Sequence, residues 1–216
     1  MKNLYLILIT LCITMTGLAQ TKNDPDAKKV LDAVSAKFKT FKTVKATFTY
    51  KVENAAGKAL SSKNGSILMK GTKYRVSFSG QEIFSDGKTV WNYDKAANEV
   101  TISNLDASGS TITPQKLFTN FYDNDFLYKM NGEKKMGAKT IQEIEMTPTD
   151  KSRPFHKVYV LVDKNARTLY STRVLEKAGN RYSYTVGNMN TSSALADNQF
   201  VFDKSKYPGV EVVDLR

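Results

Sequence analysis

Residues 83–94 read Ile83-Phe84-Ser85-Asp86-Gly87-Lys88-Thr89-Val90-Trp91-Asn92-Tyr93-Asp94 and hold the single tryptophan of the chain. An Asp-Gly pair between β-forming runs is a hairpin signal, because glycine takes the positive φ that tight hairpin turns require. With Asp86 and Gly87 as the loop of a type I′ turn, Ser85 pairs with Lys88, Phe84 with Thr89, Ile83 with Val90 and Glu82 with Trp91. Opposed residues share a face, so Ile83 and Val90 point one way while Phe84, Trp91 and Tyr93 point the other. Neither face is plainly the wet one. The run KVYVLVD at 157–163 behaves the same way, with Val158, Val160 and Val162 on one side and Tyr159 and Leu161 on the other. A strongly curved sheet, whose concave side encloses an apolar cavity under short apolar helices, gives such strands cover on both faces. Helices on one side and isolated exposed aromatics on the other satisfy the pattern equally.

Working outward from the hairpin, the chain alternates between period two and period 3.6. Asp24-Pro25 supplies an N-cap and a first helical residue, and Val30, Leu31, Val34, Phe38 and Phe41 follow at helical spacing with lysines between them. From Val44 the period is two: Val44, Ala46, Phe48, Tyr50 and Val52 alternate with Lys45, Thr47, Thr49 and Lys51. A second strand ends near Lys70, a third carries Tyr74, Val76 and Phe78, and further strands are expected at 100–103, 126–130, 140–146, 157–163, 168–177 and 181–189. Thr113-Pro114 opens a short second helix bearing Leu117, Phe118 and Phe121. The tail beyond residue 190 carries Phe200, Phe202 and Val210 and reads as ordered chain.

The first twenty residues, MKNLYLILITLCITMTGLAQ, combine Lys2, an apolar run and small residues Gly17 and Ala19. This is the pattern of a secretory signal peptide cleaved near Ala19, which leaves one domain over residues 20–216. Cys12 falls inside that segment, so the mature chain has no cysteine for a disulfide or a thiol nucleophile. Residues 1–19 hold one lysine and no acid, so their removal takes the net charge from +11 to +10. The basic residues are scattered and no nucleic-acid motif accompanies them; anionic lipid head groups are the better match for the charge. His156 is the sole histidine, no G-x-S-x-G elbow is present, and Glu143 and Glu145 alternate along a strand as its solvated face. These absences argue against an enzyme.

Taken together, the opening helix, ATFTYKV, GSILMKGTKYRVSF, QEIFSDGKTVWNYDKAANEVTI and a terminal Phe-x-Phe followed by PGVEVVD resemble the LolA family of outer-membrane lipoprotein carriers over nearly the whole mature chain. The resemblance implies a mainly β (α+β) fold: an incomplete antiparallel β-barrel of about ten or eleven strands, with helices forming a lid over an apolar cavity. It implies a periplasmic monomer without cofactor or bond chemistry, which takes lipoprotein acyl chains from an inner-membrane ABC transporter to the outer membrane, often through a receptor there. Alternation and the family outline together nominate Phe48, Tyr50, Met69, Tyr74, Val76, Phe78 and Trp91 for lipid contact, with Leu117, Phe118 and Phe121 on the lid; plain core is the competing role for each. The mature chain's methionines, at 69, 130, 136, 146 and 189, would suit an adaptable wall or simple gap filling. One departure stands out. Where the family has an Arg-Pro step whose Arg latches the lid, this chain has Lys70 and Gly71, and a lysine lacks the planar donor fork. A carrier of another lipid or glycolipid, or a periplasmic sensor of the same fold, are the alternatives.

Overall fold

The computed structural model describes residues 23–105 and 122–216. Helix α1 (Pro25–Lys39) is followed by β1 (Thr43–Glu53), β2 (Ala59–Lys70), β3 (Lys73–Phe78), β4 (Gln81–Ser85), β5 (Thr89–Asp94) and β6 (Glu99–Asn104). After a short α2 (Tyr122–Asp125) come β7 (Phe126–Met136), β8 (Lys139–Pro148), β9 (Phe155–Asp163), β10 (Thr168–Glu176), β11 (Arg181–Asn190) and β12 (Glu211–Asp214). They form one sheet in the order β12-β6-β5-β4-β3-β2-β1-β11-β10-β9-β8-β7. The end strands β12 and β7 do not pair with each other, so the sheet is an incomplete barrel. Every neighbouring pair is antiparallel except β12 on β6, which is parallel.

The strand count among the described residues is twelve, above the ten or eleven expected. The additional strand is β12, which runs Glu211-Val212-Val213-Asp214 at the end of a segment without alternating polarity. It is a strand because β6 offers it a free edge.

The β4–β5 hairpin departs from the expected register by two residues: Ser85 pairs with Val90, Phe84 with Trp91 and Glu82 with Tyr93. Asp86 Oδ1 accepts from the amides of Lys88 and Thr89, both at 2.8 Å, and Ser85 Oγ accepts from Gly87 N at 3.2 Å. These side-chain bonds hold a four-residue loop in place of the two-residue turn. A shift of two leaves each side chain on its expected face, since the pleat repeats every two residues.

Helix α1 starts as its sequence dictates. Asp24 Oδ1 accepts from Asp26 N at 2.8 Å and Pro25 stands at the first turn. The same residue reaches the sheet: Asp24 N donates to the Tyr128 carbonyl at 3.0 Å and Asp24 Oδ2 accepts from Met130 N at 2.9 Å. With Asn23 Oδ1 accepting from Tyr128 N, the chain ahead of the helix covers the free edge of β7. The helix then lays Ala27 and Leu31 on Ile144, Met146, Val158, Val160 and Val162, while Phe38 in its last turn and Phe41 just beyond it cover Val44, Ala46, Met69 and Tyr74. The expected double cover of 157–163 is visible here: the three valines face α1, and Leu161, on the opposite face, is also buried.

Candidate lipid-binding site

Strand register decides which candidates meet. Val44 faces Met69 and Met69 faces Tyr74; Ala46 faces Ile67 and Ile67 faces Val76; Phe48 faces Gly65 and Gly65 faces Phe78. Phe48, Tyr50, Met69, Tyr74, Val76 and Phe78 therefore share the sheet face that carries α1. That face continues across the barrel: Tyr50 opposes Tyr184, then Thr172, Val160, Ile144 and Met130 follow strand by strand. Met69 and Tyr74 are buried beneath the end of α1 and serve as its core.

Past the helix the same face is paved with rings. Phe48 and Phe78 lie 5.7 Å apart, Tyr50 meets Phe78 edge-on at 5.3 Å, and Tyr50 contacts Tyr184 at 4.9 Å and stacks on Tyr182 at 5.9 Å. The paving is possible because Gly65 has no side chain: a Cβ there would stand 2.3 Å from Phe48 Cζ. Phe48, Tyr50 and Phe78 are half-buried, and Tyr184 is 43% exposed. Burial, then the neighbouring Tyr184, Tyr182 and Glu176, push the Tyr50 hydroxyl up to about 12, so it stays protonated. Tyr182 donates to Glu176 Oε2 at 3.1 Å. Tyr182 and Tyr184 went unnominated in the sequence, although their i, i+2 spacing in Arg181-Tyr182-Ser183-Tyr184 carries the same strand signal as Phe48 and Tyr50. Their partner strand β1 lies near the other end of the chain, and nothing local announces that pairing.

Trp91 lies on the opposite face. Through Phe84 it aligns with Arg75, and it packs with Tyr93, Val100, Val210, Phe202 and Tyr207. The cover here is the C-terminal segment, which crosses the outside of β3–β6 as a strap: Phe202 stacks on Tyr207 at 4.4 Å and meets Phe84 edge-on at 5.8 Å. Leu117, Phe118 and Phe121 fall outside the described residues.

Lys70 holds the strap. Its Nζ donates to the Leu195 carbonyl at 3.0 Å and to Asp197 Oδ1 at 2.8 Å, while Lys73 Nζ takes Asp197 Oδ2 at 2.8 Å. Hydrogen bonds from both lysines lower the Asp197 carboxyl to about 2. Gly71 turns β2 into β3 at φ +57°, a value closed to proline, so this hairpin turn is built differently from one with an Arg-Pro step.

His156 is exposed near the start of β9. Glu143 accepts from Lys134 at 2.5 Å and Glu145 from Lys157, both on the outer face. Among the described residues no group of three or more His, Cys, Asp or Glu side chains could hold a metal ion.

An open, mainly antiparallel barrel, covered by a helix and paved with rings on the same face, is a half-barrel with an apolar surface of the kind that can receive lipid. The comparisons with known proteins place it further. A family model described as outer membrane lipoprotein carrier protein LolA matches residues 39–203. The chain is 29% identical to an outer-membrane lipoprotein carrier protein of Serratia proteamaculans over 97% of its length and 98% of that protein. It is 28% identical to the protein of the same name from Pectobacterium carotovorum, over 94% and 95% of the two chains. An uncharacterized conserved protein from Thermus thermophilus shares the fold at a TM-score of 0.60 and 15% identity, over 88% of this chain and 99% of that one. The chain belongs to the LolA family of outer membrane lipoprotein carrier proteins.

Proposed function

We propose that this protein is a periplasmic carrier that shields the acyl chains of lipoproteins and moves them from the inner to the outer membrane. The observation that carries this reading is the ring-paved face formed by Phe48, Tyr50 and Phe78 with Tyr182 and Tyr184, on the same side of the open barrel as α1. Each methylene withdrawn from water contributes about 0.8 kcal/mol, so acyl chains do not leave a bilayer for water at useful rates without such a surface. Rings in edge and stacked contact offer broad apolar area with few rotamers to lose, and no bond chemistry is needed to hold a chain there.

In this reading residues 1–19 direct export and are removed, residues 20–216 are the carrier, an inner-membrane ABC transporter loads it, and an outer-membrane receptor accepts the cargo. Family membership and the two full-length relatives support it. The test is release of triacylated lipoproteins from inner-membrane vesicles by the mature protein, with native mass spectrometry of what it holds. Release with a lipoprotein bound is expected. Absence of release, with a different lipid bound, would replace the cargo with a phospholipid or glycolipid and leave the apolar face in its role.

A further inference from the structure

The outer face of β1 and β9–β11, opposite the ring-paved face, carries two adjoining open hollows of about 430 and 340 Å³ that share Arg173. Hydroxyls from Thr49, Ser171, Ser183 and Thr185 line the first, and Arg181 lines the second. Arg173 opposes Ser183 across the β10–β11 ladder, and Arg181 stands two residues from Ser183 on the same face, so the two arginines are diagonal neighbours in the sheet and both line the second hollow.

Glu53, with Lys51, lines the first hollow and Glu143 the second, and each of these carboxylates bonds a lysine. Glu53 accepts from Lys51 at 2.7 Å, Glu143 from Lys134, and Glu145 from Lys157. Arg181 spends one N–H on the Ala55 carbonyl at 2.8 Å. Among the described residues no hydrogen bond or ion pair reaches the Arg173 guanidinium, which lies 5.7 Å from the centroid of the Tyr159 ring. Glu53 and Glu143 feel the field of Arg173 yet stand beyond ion-pair distance from it.

We propose that this outer-face hollow is a binding site for a phosphate group borne on a small hydroxyl-rich moiety, with Arg173 and Arg181 taking the phosphate and the hydroxyls of Ser183 and Thr185 taking its polar attachment. Guanidiniums suit this anion because their planar donor forks match paired phosphate oxygens. A phosphate monoester offers three terminal oxygens and up to two negative charges where a carboxylate offers two oxygens and one charge, which suits two guanidinium forks better. The hollow has room for more than the ion. This site is independent of the carrier reading, being on the other side of the sheet.

The test is a nuclear magnetic resonance titration of the mature chain with inorganic phosphate and with sn-glycerol 3-phosphate. Saturable shifts confined to the outer faces of β1 and β9–β11 are expected, with glycerol phosphate the tighter ligand. Arg173→Gln weakens binding about tenfold or more. Arg173→Lys, which keeps the charge and loses the fork, weakens it as well. Lys204→Gln, an equal loss of charge at an exposed site on the strap, leaves it unchanged. Co-sedimentation with phosphatidylcholine vesicles, with and without phosphatidylglycerol, separates the sources. Arg173-dependent binding to the anionic vesicles assigns a lipid head group, and its absence assigns a free phosphorylated solute. Non-saturable shifts, shifts elsewhere on the chain, or equal losses in R173Q and K204Q would overturn the proposal.

Discussion

At Gly65 a missing side chain positions a ring. Phe48 lies over that glycine, and an added methyl would meet the ring at 2.3 Å. Gly65→Ala is expected to destabilise the fold by about 1–3 kcal/mol through overpacking and to weaken lipid binding, read by chemical denaturation and by displacement of a fluorescent fatty acid. Phe78→Ala instead removes a partner of both Phe48 and Tyr50, and acyl-chain affinity should fall about tenfold in the same displacement assay. Asp197 gives a pH dependence of definite sign. Its carboxyl titrates near 2 when folded, below the ordinary value of about 3.9. Its contribution is therefore fully present above about pH 4 and is lost as pH falls through about 2. Both lysine partners are partly exposed, so salt screens the effect. In Lys70→Gln the Asp197 titration, followed by carboxyl resonances, should move up toward the ordinary value; an unmoved titration would remove Lys70 from the strap contact.

Among the elements, the hairpin and the strap explain the tryptophan. Trp91 belongs to a cluster closed by Phe202, Tyr207 and Val210 rather than to the ring-paved face. Its emission should be insensitive to lipid, while removal of residues 200–216 should shift it to the red. Phe200, fully buried in the 3₁₀ turn Asp197–Phe200, anchors the strap. Phe200→Ala is expected to cost about 3–5 kcal/mol, measured by urea unfolding, because the cavity it leaves adds to the lost burial. The two open edges of the sheet are also handled by short elements: Asn23 and Asp24 bond the edge of β7, and β12 covers β6. Unpaired strand edges invite association with other chains, and these covers answer that hazard.

For the molecule as a whole, one sheet divides the labour between its faces. The inner face is predominantly apolar from Phe126 on β7 to Val76 on β3, under α1 and the ring pavement. Over β7–β11 the outer face mixes ion pairs with apolar positions such as the buried Leu161, and over β3–β6 it carries the aromatic cluster on which the strap lies. A carrier needs this asymmetry, because the surface that holds a lipid must be unlike the surface that keeps the loaded molecule in water.

The strands, the amphipathic helix with its Asp24-Pro25 start, and the alternation of Phe48, Tyr50, Tyr74, Val76 and Phe78 were legible in the sequence, since side-chain period and capping chemistry are local properties. The residues on which the family resemblance rests lie in the same local patterns, and the family followed from them. The face on which Trp91 lies, the joining of Tyr182 and Tyr184 to the pavement, the bond from Lys70 to Asp197 and the strand character of Glu211–Asp214 were decided by tertiary structure. Each depends on pairing between segments far apart in the chain, whose register is selected by the summed burial of a whole face and by a free strand edge. No short stretch contains that information.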